Sequence, residues 1–70
     1  MCQRKKMIKQ MVGERVFVMM KTKEWIPVLY QARVIQAFMQ QHSSDTLLEL
    51  LGDEEKCKQT LLSIMYRSFL

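Results

Sequence analysis

Gly13, Pro27 and Gly52 are the only glycines and proline in this 70-residue chain, so they limit where its segments can end. Glycine frees the backbone for tight turns, and proline removes a helical donor. Two further stretches, Thr22 to Pro27 and His42 to Asp45, lack apolar periodicity. Breaks are therefore expected at Gly13, at Thr22 to Pro27, at His42 to Asp45 and at Gly52-Asp53. No internal repeat or low-complexity run is visible. Seventy residues make one domain, over positions 1–70, with one core. A domain of this size buries only about 60% of its unfolded-chain surface. That leaves no room for an enclosed active site beside the core.

The segments between the breaks read as helices. Asp53 is a good N-cap, Glu54 and Glu55 place negative charge in a first turn, and Cys57, Leu61, Ile64 and Met65 recur at helical spacing. Arg67 stands in the favourable last turn. Asp45 to Leu51 reads as a short helix capped by Ser44 or Asp45, with Gly52 stopping it in a left-handed conformation. Pro27 to Gln41 reads as the longest helix, with Pro27 in its first turn. Its polar Arg33, Gln36 and Gln40 share one stripe and apolar residues fill nearly everything else, which predicts a central helix with neighbours on several sides. Residues 3–12 predict a short basic helix with Met7, Ile8, Met11 and Val12 facing inward. Residues 14–21 admit a strand paired with Trp25 to Tyr30. Pro27 would interrupt that partner, and a lone hairpin is weak, so helix is the expectation. The sum is an all-α compact bundle of four or five short helices in superhelical stacking.

The formal net charge is +4, and much of the excess lies in Arg4, Lys5, Lys6, Lys9, Lys21 and Lys23. These residues form either a solvated face or an attraction to nucleic acid or an acidic protein partner. Cys2, in a frayed tail, and Cys57, in the core, make no disulfide framework, which points to a reducing, cytoplasmic setting. No apolar run approaches the roughly 20 residues of a membrane span, and no signal peptide is evident. The lone His42 reads as a solvated loop residue, and no His/Cys cluster has metal-ligand spacing. Neither glycine lies in a phosphate-binding run. No catalytic residues, metal or cofactor are expected, so function is sought on a surface. Trp25 and Tyr30 flank Pro27 and are expected to seal the end of the long helix rather than to stack on bases. Seven methionines fit a flexible core or an adaptable peptide groove.

Gln10-Met11-Val12-Gly13-Glu14-Arg15-Val16-Phe17 resembles the opening of the MLLE (PABC) domain, with Leu-to-Val changes at Val12 and Val16. That domain ends cytoplasmic poly(A)-binding proteins and occurs in a HECT-type ubiquitin ligase. The likeness continues through Pro27, through Arg33 to Gln40 opposite the signature helix, and through Ser43-Ser44-Asp45-Thr46-Leu47-Leu48. It covers about residues 7–68. The signature itself is altered to Gln36-Ala37-Phe38-Met39-Gln40, so the chain resembles a divergent member. The resemblance implies a right-handed superhelix of four or five helices and a non-enzymatic module that binds extended peptides from translation and mRNA-decay regulators; a monomer is expected. It places an aromatic pocket at Gln10, Gly13 and Glu14 with Phe17, Arg33 and Phe38, and a leucine pocket at Ala37, Thr60 and Ile64. The bare backbone at Gly13 is expected to leave an open dent in which a flat ring can lie. The alternative function is a small basic helical protein that binds nucleic acid or an acidic partner.

Overall fold

The first helix does not stop at its glycine. In the computed structural model, which describes the backbone of residues 2–69 and the side chains of residues 4 and 6–68, helix α1 runs from Cys2 to Lys23 without a break. The side chains of Cys2 and Lys5 lie outside the described residues. Gly13 has no positive φ, so it sits in the helix like any other residue. A mid-helix glycine costs about 1 kcal/mol relative to alanine. Val12, Val16 and Met20, one turn apart and all fully buried, more than offset that cost. The same stripe settles the identity of residues 14–21, which are helix. It also corrects the inward face of the N-terminal segment. Ile8 joins the core edge, but Met7 and Met11 lie one position off the buried line and are exposed.

Helix α1 ends at Glu24, whose φ of 54° is left-handed. Ile26 then turns fully inward, while Trp25 and Tyr30 pack half-buried against the core and close this end of the bundle. The buried Gln31 amide donates to the Ile26 carbonyl at 2.8 Å, satisfying a loop acceptor that water does not reach. Helix α2 spans Val28–Gln41, with Pro27 before it as N-cap instead of inside its first turn. At 14 residues it is shorter than α1, with 22, and α4, with 16, so it is not the longest helix. Nor is it enveloped. Gln31, Val34 and Phe38 face inward, whereas Val28 and Leu29 are about four-fifths exposed.

Helix α3, Ser44–Leu51, is capped by Ser43 and not by Ser44 or Asp45. The Ser43 hydroxyl accepts from the Thr46 amide at 3.3 Å. Gly52 has φ −79°, a right-handed value, because its amide donates to the Leu48 and Glu49 carbonyls and carries the helical turn one step further. The Asp53 carboxylate accepts from the Lys56 amide at 3.2 Å and opens α4, Glu54–Phe69. Cys57, Leu61, Ile64 and Met65 are all buried, as the spacing predicts.

Helix α1 lies against α2 and α3, and α4 lies against the same two. Among the described residues these four helices are the whole of the regular structure. The radius of gyration is 11.4 Å, close to the about 11 Å expected of a compact chain this long.

Glu24 supplies a test of this account. A non-glycine residue in the left-handed region costs about 1–2 kcal/mol, and an acidic side chain opposes the dipole at a helix C-terminus. Glu24→Gly is expected to raise stability by about 0.5–1 kcal/mol after the larger unfolded-state entropy of glycine is counted. Thermal unfolding followed by circular dichroism reads it as a higher midpoint. An unchanged or lower midpoint would mean that the Glu24 side chain contributes more than its backbone strain removes.

Candidate peptide-binding face

Gln10, Gly13, Glu14 and Phe17 follow one another at i, i+3, i+4 and i+7, which puts them on one stripe of α1. The stripe borders the buried line of Val12, Val16 and Met20. Gln10 and Glu14 are exposed, Gly13 is half-buried, and the Phe17 ring is 40% exposed. The structure therefore brings these four together as an accessible surface.

Gly13 itself is not an open dent. The thioether of Met39, from α2, lies across it. A Cβ at position 13 would meet Met39 Cε at 3.4 Å and Sδ at 3.5 Å. The long unbranched side chain reaches over from the facing helix and fills the room that the glycine leaves. Apart from its two chain neighbours, the three nearest atoms to that position all belong to Met39.

The remaining residues assigned to the aromatic pocket are elsewhere. Phe38 is fully buried, with its ring centroid 5.2 Å from that of His42, so it is core. Arg33 is exposed and lies about 120° around α2 from Met39, at 100° per residue. It is on another face of its helix.

The residues assigned to the leucine pocket differ in their exposure. Ile64 is 1% exposed and belongs to the core. Ala37 is half-buried at the core edge. The Thr60 hydroxyl donates to the Lys56 carbonyl at 2.8 Å and faces a cleft of about 580 Å³ between α3 and α4, lined also by His42, Thr46, Leu48 and Gly52. Neither Ala37 nor Ile64 lines that cleft.

His42 is likewise not a solvated loop residue. It is half-buried, and its Nδ1–H donates to the Phe38 carbonyl at 2.9 Å, satisfying an acceptor in the last turn of α2. The Cys57 thiol is pushed up to about 11, first by burial and then by the Glu54 carboxylate. At neutral pH it is a protonated core group, and the thiolate that nucleophilic chemistry requires is absent. Among the described residues no group of three His, Cys, Asp or Glu side chains is placed to hold a metal ion.

Of the basic residues on α1, two pairs stand near its opposite ends. Lys6 and Lys9 line a notch with Ser43, Ser44 and Asp45. Lys21 and Lys23 stand at the other end of α1, about 18–25 Å away at 1.5 Å per residue. Lys23 pairs with Glu54 at 2.5 Å and lies 5.9 Å from the centre of the Trp25 ring. No described helix is long and apolar enough to cross a membrane.

Sequence reasoning missed two features. One is Met39, hidden in a run where every residue is apolar or amide. The other is a cleft of about 530 Å³ at the end of the bundle, where Trp25, Pro27, Val28, Leu62 and Tyr66 meet. The Trp-x-Pro step was its visible signal, but Tyr66 reaches it only through the packing of α4. Comparison with known protein families, curated proteins and solved structures finds no match to this chain.

Proposed function

We propose that this chain is a non-catalytic module that binds a short extended peptide by seating one aromatic side chain on the α1–α2 face at Gly13. The observation that carries this reading is the glycine itself. It lies mid-helix with an ordinary backbone, and only the flexible end of one methionine stands before it. Its backbone conformation does not require a glycine there, and the methionine end that fills the space is flexible, whereas a flat ring laid against bare backbone needs the missing Cβ. The half-exposed Phe17 and the amide of Gln10 beside it supply an apolar wall and a polar handle. The resemblance to the MLLE domain supports the same face. In that reading the partners are translation and mRNA-decay regulators in the cytoplasm, and the chain acts as a monomer.

Burying one aromatic anchor contributes about 1.5–3 kcal/mol. Further contacts less the cost of ordering the peptide lead to micromolar affinity. An NMR titration with a peptide that carries one phenylalanine and one leucine anchor tests this. Amide shifts are expected on residues 10–17 and around Met39, with little change when salt is raised. Shifts confined to the Lys6–Lys9 notch and lost steeply with salt would instead indicate an anionic partner. Shifts confined to the Trp25–Tyr66 cleft would move the site to the end of the bundle.

A further inference from the structure

We infer that Met39 is the residue that decides whether a ring can enter at Gly13: its thioether is a displaceable plug in the seat. The inference rests on the peptide-binding reading above and adds a residue which neither the motif nor the resemblance assigned. Three atoms of the side chain, Cε, Sδ and Cγ, lie at 3.4, 3.5 and 4.0 Å from the Cβ position of Gly13. An incoming ring needs that same surface, so the plug and the ring exclude each other.

The residues near Gly13 and Met39 along α1 and α2 differ from Met39 in their freedom to move. Val12, Val16 and Phe38 are fully buried, and shifting any of them would open the core. Met39 is half-buried, so one side of it faces water and gives it somewhere to go. It is unbranched, with three rotatable bonds and a polarisable sulfur that packs well against an aromatic edge. Swung aside, it becomes a wall of the seat.

A site that is closed part of the time binds more weakly by the fraction that is open. If the plug is out about one tenth of the time, removing it strengthens ring binding by about tenfold. Met39→Ala removes the plug. Met39→Ile keeps an apolar group there but stiffens it by branching at Cβ, so it cannot swing clear.

The test uses N-acetyl-phenylalaninamide as probe, with the Met39 methyl resonance and the backbone amides read by NMR, and the same two-anchor peptide run in parallel. Wild type is expected to show the Met39 methyl shifted by the ring current of the bound probe. Met39→Ala is expected to bind the probe about tenfold tighter, and Met39→Ile about tenfold weaker. If Met39→Ala does not fold, the comparison of Met39→Ile with wild type decides alone. Equal probe affinity in every folded variant, with the peptide still mapping to residues 10–17, overturns the plug and leaves the peptide reading standing. Probe and peptide shifts at the Trp25–Tyr66 cleft in every variant overturn both.

Discussion

Replacing Gly13 with valine is expected to weaken binding of an aromatic-anchored peptide by about ten- to a hundredfold, while the helix content of the chain stays as it is. The loss follows from the anchor alone. Burial of such a ring is worth about 1.5–3 kcal/mol, and each 1.4 kcal/mol is a factor of ten. Valine adds a Cβ that already meets Met39 at 3.4 Å, and two methyl groups beyond it. Even with Met39 swung out, those methyls occupy the space a ring would take. The fold survives because position 13 has an ordinary helical backbone, and valine is a somewhat better helix former than glycine. Crowding against Met39 offsets part of that gain, and the methionine end can yield. Isothermal titration of wild type and variant, with circular dichroism of both, reads the two quantities separately. Unchanged affinity with unchanged helicity would reject the seat.

Phe38→Ala is expected to have the largest effect on stability, a loss of about 3–5 kcal/mol. The ring is fully buried and lies against the His42 imidazole, so its removal leaves a cavity and loosens the end of α2. A chain of 70 residues has in all only about 3.5–10 kcal/mol of stability at 0.05–0.15 kcal/mol per residue. Much of the variant is therefore expected to be unfolded at physiological temperature, since each kcal/mol lowers the melting midpoint of such a domain by about 4–8 °C. Urea denaturation checks the value. The result also separates two roles for this side chain. A pocket-lining phenylalanine would lose binding with less than about 1 kcal/mol of stability, and that outcome would take Phe38 out of the core.

The parts of the fold legible in the sequence are those decided within one segment. Asp53, Glu54, Glu55 and the Cys57–Leu61–Ile64–Met65 spacing define α4 because cap, dipole and apolar stripe agree there. Where two segments compete, the local rules run out. Gly13 reads as a break by its intrinsic cost, but burial of Val12, Val16 and Met20 outweighs that cost once α2 and α3 are in place. Gly52 reads as a left-handed stop, yet its amide finds two helical carbonyls and needs no such turn. Val28 and Leu29 read as core because they are apolar. They are exposed because α2 meets neighbours only through Gln31, Val34 and Phe38 and the residues beside them. On the α1 half of the candidate face, Gln10, Gly13, Glu14 and Phe17 were named from the motif, but the break read at Gly13 hid that they share one helix. The α2 half was not legible. Which of Arg33, Phe38 and Met39 meets Gly13 depends on how α2 is rotated about its own axis, and an apolar run at every position does not encode that rotation.

The continuity of α1 has a mechanical consequence. With about ten residues of helix on either side, the backbone at Gly13 is clamped by hydrogen bonds in both directions. A glycine at a junction could bend to suit its guest; here the backbone floor is held by the helix, and the proposal leaves only the Met39 side chain to move. In the proposed mode of binding, adaptation then falls to one thioether and to the guest chain, a latch on a fixed frame more than a hinge.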